Sequence, residues 1–162
     1  MSNWQERIAP VVRDRAATAA AYDRLSRVYD ALVGRFEARY RDAGLALLQV
    51  QPGERVLEIG CATGRALVAL AESVGPAGRV VGVDLSPRMV EVAAARARAL
   101  GHAHATCQVG DATNLSVEDG AFDAAFCSFT LELFSAGDIP RVLAELRRAL
   151  APHGRVGIVA LA

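Results

Sequence analysis

The nine residues Val56, Leu57, Glu58, Ile59, Gly60, Cys61, Ala62, Thr63 and Gly64 constrain the fold more than any other stretch of this chain. An apolar run ends in a glycine turn, and helical spacing follows at once over about 63–74. A strand that runs straight into a helix is half of a βαβ unit, which implies a parallel sheet with both faces covered. Such a turn also brings backbone N–H groups and a helix N-terminus to one place.

The same alternation repeats down the chain. Strands are predicted over 54–59, 79–84, 105–109, 122–127 and 155–160. Between them, Ser86 and Pro87 open a helix whose inner face is Met89, Val92, Ala93, Ala97 and Leu100, with Gly101 as a left-handed stop. Asp138, Ile139 and Pro140 open another, with Val142, Leu143, Leu146 and Leu150 inward. Thr63 is the expected cap of the first. Upstream, Tyr22, Leu25, Tyr29, Leu32, Val33 and Phe36 recur at helical spacing, and Phe36, Tyr40, Leu47 and Leu48 form a second apolar series. Pro52 and Gly53 then make a turn. The division expected is a helical lid over 1–50 and a sheet domain over 51–162.

Composition narrows the function classes. With 162 residues, one compact unit is expected. Acidic and basic residues number 18 each, so the chain lacks the electrostatic footprint of a nucleic-acid binder. No run is long and apolar enough to predict a membrane span, and the N-terminus lacks the apolar core of a secretory signal. Three scattered cysteines without a CxxC motif point to reduced thiols and a cytoplasmic setting. His102 and His104 lack a third partner, so they read as loop residues and no metal is expected.

In a sheet of this kind, ligands bind beyond the carboxyl ends of the strands, where strand order reverses. The polar motifs all fall at those ends. The turn carries Gly60, Ala62 and Gly64, whereas a nicotinamide fingerprint needs glycine at 60, 62 and 65, and Arg65 stands at the last. Asp84 ends strand two and can accept hydrogen bonds from two ribose hydroxyls, or equally serve as the acid opening a helix. Gly110, Asp111 and Ala112 end strand three, where the carboxylate could take an adenine amino group or close an Asx-turn. Glu58 is costly within an apolar strand unless paired; its partner could be a ligand's ammonium or an N-terminal arginine. Ser128, Thr130 and Glu132 follow strand four, where an acceptor would approach, with packing and capping as the plainer role. Together these suit a nucleoside bearing an amino-acid tail.

Taken in order, the motifs VLEIGCATG, GVDLSPRMV, GDATNL and FDAAFCSFTLELF resemble those of the class I S-adenosylmethionine (SAM)-dependent methyltransferases. The resemblance runs from about Tyr22 to the C-terminus. The segment Tyr22–Asp30 is similar to the opening helix of ubiquinone/menaquinone-type C-methyltransferases, and small-molecule or phospholipid amine N-methyltransferases look similar there. The resemblance implies a Rossmann-like, doubly wound sheet of order 3-2-1-4-5. It implies that Glu58, Gly60 and Gly64 hold the methionine portion, with Asp84 on the ribose, Leu85 and Met89 on the adenosine, and Asp111 and Ala112 flanking adenine; Cys61, Ala62 and Gly110 are further expected cofactor contacts. Tyr29 would sit in the lid and Cys127 beside the cofactor. SAM would be the cofactor, S-adenosylhomocysteine the product, and Glu132 the candidate base.

The family sheet ends in two further strands, which the sequence does not supply after strand five. The expectation is a fragment, or an edge over 155–160 that pairs with another subunit. The function expected is methyl transfer to a small hydrophobic or aromatic acceptor. The alternatives are a SAM-binding scaffold without turnover and, third, a nicotinamide oxidoreductase.

Overall fold

A computed structural model describes residues 34–160 and, before them, Ala20. The predicted stripe Tyr22, Leu25, Tyr29, Leu32 and Val33 lies outside that range, as does most of the expected lid. The described elements are α1 (Gly34–Leu48), β1 (Arg55–Ile59), α2 (Arg65–Val74), β2 (Arg79–Asp84), α3 (Pro87–Ala99), β3 (Ala105–Val109), β4 (Phe122–Ser128), a single 3-10 turn (Leu131–Leu133), α4 (Ile139–Ala149) and β5 (Leu150–Val159). The strands form one parallel sheet in the order β3-β2-β1-β4-β5, as the resemblance implies.

Strand residues alternate between two cores. Val56, Val80, Ala105, Ala124 and Phe126 face α1, α2 and α3, packing on Leu48, Leu67, Leu70, Val74, Ala93 and Ala97. Leu57, Ile59, Val81, Val83, Ala125 and Cys127 face α4, packing on Val142, Leu146 and Ala149. Glu58 belongs to the first face, where it interrupts an apolar row. Its neighbours in register are Gly82 on β2 and Phe126 on β4.

Two glycines let α1 lie close to the sheet. A Cβ on Gly44 would overlap the Val159 side chain, and one on Gly157 would stand 3.2 Å from the Phe126 ring. Arg155 then fixes the end of α1. Its guanidinium donates to the carbonyls of Leu48 (2.7 Å) and Gln49 (2.8 Å) and pairs with Glu54 (2.7 Å). A cation on the last carbonyls of a helix satisfies groups with no intrahelical partner and opposes the helix dipole.

Several boundaries differ from the sequence reading. Gly64, in left-handed conformation, precedes α2 in place of Thr63, which is buried. The inner face of α1 carries Gly44 and Leu48, while Tyr40 and Leu47 are exposed. Leu100 and Leu143 are also exposed; each sits one position beyond the arc that meets the sheet. β5 begins at Leu150, which pairs with Phe122 before the register shifts and resumes at Ala124 and Arg155. Ser86 and Pro87 open α3 as expected, with the Ser86 hydroxyl accepting from the Met89 amide at 3.1 Å. None of the described helices is long and apolar enough to cross a membrane.

Candidate functional site

From β1 the chain steps outward to β2 and β3, then returns to β4 on the other side of β1. The carboxyl ends of β1 and β4 therefore flank the switch point where open α/β sheets take ligands. Gly60, at the end of β1, faces Thr130, just past β4; a Cβ on Gly60 would overlap the Thr130 side chain. Thr130 Oγ1 donates to the Ser128 carbonyl at 2.9 Å. Gly64 performs the same service one turn later, where a Cβ would lie 2.8 Å from Ala93 Cα of α3. Both glycines have positive φ, 71° and 80°, so each serves backbone geometry and close packing together. Arg65 is exposed, and the tight helix contact sits at Gly64.

Asp84 holds this turn. Its Oδ2 accepts from the Ala62 amide at 2.8 Å and its Oδ1 from the Ser86 amide at 2.9 Å. Gly60 and Cys61 also donate to the Val83 carbonyl, at 2.8 and 3.2 Å. Ala62 carries φ +44°, a conformation disfavoured by a side chain and retained because four hydrogen bonds surround it. The Asp84 carbonyl accepts from Gly110 at 3.0 Å, which ties the ends of β2 and β3. Asp111 follows and forms an Asx-turn, its Oδ1 accepting from the Thr113 amide (2.9 Å) and hydroxyl (2.8 Å). Asp84 and Asp111 thus share one rim of the sheet.

Glu58 is 2% exposed, and its Oε2 is buried with no hydrogen-bond partner among the described residues. Burial raises its carboxyl well above the ordinary value of 4.5, the more so beside Cys107 and Asp84; the more distant Arg41 offsets only part of this. Arg41 itself bonds to Asp42, and the arginines of the N-terminal segment before Gly34 lie outside the described residues. Across the crevice both carboxyl oxygens of Glu132 are also buried without a hydrogen-bond partner among the described residues. Buried carboxyl oxygens without a partner are unusual, since a buried lone charge is costly.

Other predicted residues lie beneath this rim. Met89 and Cys127 are completely buried, and burial pushes the Cys127 thiol up to about 12. Ala112 is buried, and Leu85 is half-buried next to Asp84. Tyr29 lies outside the described residues. His104 lies in the turn before β3 as expected but is half-buried, its Nε2 2.9 Å from the Ala71 carbonyl. Among the described residues, no group of His, Cys, Asp and Glu could hold a metal ion. The sequence reading missed the Thr130–Gly60 contact as a whole, because only the β1–β4 pairing reveals it.

Residues 56–154 match the family described as Methyltransferase domain. The chain belongs to that family. It is 36% identical over 137 residues to nocamycin O-methyltransferase of Saccharothrix syringae, covering 85% of this chain and 48% of that protein. It is 33% identical over 140 residues to demethylmenaquinone methyltransferase of Symbiobacterium thermophilum, covering 83% and 55%. Among solved structures, a SAM dependent methyltransferase from Aquifex aeolicus superimposes with a TM-score of 0.66 at 26% identity, covering 73% of this chain and 62% of that one. The chain spans about half the length of these curated relatives.

Proposed function

We propose that this chain binds SAM at the β1–β4 crevice and directs its methyl group to a small, hydrophobic or aromatic acceptor. The observation that carries this is Glu58, a buried carboxyl with an oxygen unpartnered among the described residues, two residues before a glycine turn. An ammonium group supplies the missing charge partner and hydrogen bonds. Asp84 and Asp111 on the same rim suit the ribose hydroxyls and the adenine amino group. The start of α2, uncapped by any side chain, suits the amino acid's carboxylate. When bound, SAM supplies a methyl already activated on sulfonium.

The chain's own contribution is then alignment and exclusion of water, which can lower a barrier by about 7–11 kcal/mol. Thr130 and the 3-10 turn set the wall where the acceptor approaches. Glu132, whose two carboxyl oxygens are buried without a partner among the described residues, is the candidate to take a proton from an acidic carbon or hydroxyl. Its family and three free cysteines support a role in the reducing cytoplasm. β5 supports self-association: it is an edge strand among the described residues, with Val156 and Ile158 exposed. A scaffold that binds SAM without turnover is the second reading.

Calorimetry with SAM and S-adenosylhomocysteine, then an activity screen over amines, phenols and quinols, tests both. Saturable binding that Asp84→Asn weakens about 10-fold or more supports the site. Binding without turnover supports the scaffold, and no binding of either ligand overturns the proposal.

A further inference from the structure

We propose that Cys61 and Cys107 form a reversible disulfide, with a hydroperoxide as oxidant, that distorts the glycine turn and lowers its affinity for the cofactor. Gly82 brings them together. It lies on β2 in register with Cys107 on β3, so both point to the same face of the sheet. It has no side chain, and Cys61 folds over it into the vacant space. A Cβ built on Gly82 would stand 3.0 Å from Cys61 Cβ and 3.1 Å from Cys61 Sγ. The two thiols are near enough to interact, and side-chain hydrogen bonding between them is the leading cause of the opposite shifts in their ionisation.

The two sulfurs are not equivalent. Cys61 is buried at 3% exposure, whereas Cys107 is half-buried on the outermost strand. The hydrogen bond from Cys61, with help from the Arg98 charge, holds the Cys107 thiol below its ordinary value against the opposing effect of burial. That hydrogen bond and burial push Cys61 up. A more acidic, more accessible thiol beside a less acidic, sheltered one is the division of labour of an attacking and a resolving cysteine.

The chemistry balances. The Cys107 thiolate attacks the terminal oxygen of ROOH, breaking the O–O bond; the sulfur becomes a sulfenic acid and RO⁻ leaves as ROH with a proton. Cys61 then attacks Cys107 Sγ and expels hydroxide, which leaves as water with the Cys61 proton. Two thiols lose two hydrogens and two electrons, and ROOH is reduced to ROH and water. The new S–S bond must draw Cys61 Sγ toward β3. Cys61 sits inside the turn whose amides bond to Val83 and Asp84, so the strain reaches the backbone of 60–64.

The consequence for affinity rests on the proposed cofactor reading, but the cross-link does not. The full chain is treated with hydrogen peroxide, alkylated and mapped by mass spectrometry, alongside amide hydrogen exchange across residues 60–64 and SAM calorimetry. The expected result is a loss of two hydrogens in one Cys61–Cys107 peptide pair, with Cys127 still a free thiol. Exchange over 60–64 quickens, SAM affinity falls about 10-fold, and dithiothreitol reverses all of it. Cys107→Ser keeps the reduced protein's affinity and loses the response to peroxide. Failure to find the 61–107 pair, or its formation with exchange and affinity both unmoved, overturns the proposal. A reduced protein that ignores SAM while the cross-link still alters exchange would sink the cofactor reading alone.

Discussion

Glu58 shows how far one residue's surroundings can diverge from its chemistry. Burial raises its carboxyl well above 4.5, so the folded chain retains a proton that the unfolded chain releases as pH climbs past that value. Its contribution to stability is therefore greatest below pH 4.5 and is lost as pH rises toward the folded value. Glu58→Gln removes the charge that must otherwise be suppressed or buried. The variant should be more stable than the parent by roughly 1–2 kcal/mol near neutral pH and equal to it under acid conditions. Urea titrations across that range check this; a variant that stays as pH-sensitive as the parent would refute it. The same substitution should weaken SAM, because an amide cannot offer the ammonium a negative charge. Stability and binding moving in opposite directions mark a group kept for a ligand.

At the scale of elements, the strand–turn–helix pattern was legible because glycine turns and apolar runs are local signals. The strand order came from the family resemblance, and the register confirms it. What escaped were contacts between distant segments. Thr130 against Gly60 and Arg155 on the end of α1 depend on which strands become neighbours, which no window of sequence reports. The second core face of α1 was misread for a related reason: Tyr40 and Leu47 are apolar by type, but the glycine at 44 decides which side approaches the sheet. Arg155 now carries a prediction. It joins β5, α1 and Glu54 through charge-assisted bonds, and hydrogen bonding to Arg155 holds the Glu54 carboxyl below its ordinary value. Its side chain is 36% exposed, which moderates the effect. Arg155→Ala should destabilise the fold by about 1–2 kcal/mol, read as a lower urea midpoint at unchanged slope. Hydrogen exchange should quicken first in α1. Uniform quickening would instead mean that Arg155 supports the sheet as a whole.

Across the whole molecule, the sheet is unequally covered. One face lies under three helices, while the other has α4 alone among the described helices. Val156 and Ile158 are in register with Ala125 and Cys127, so they belong to the α4 face, yet they remain 43% and 41% exposed. Leu143 on α4 is also exposed. An apolar strip along an edge strand offers unpaired backbone groups and greasy side chains together, the two requirements for strand addition. Two copies meeting edge to edge would extend both sheets and cover both strips. Ile158→Lys places a charge in the middle of that strip. Sedimentation should show the parent as a concentration-dependent dimer and the variant as a monomer with the same melting temperature. A parent chain that sediments as a monomer at every concentration would leave the strip without this role.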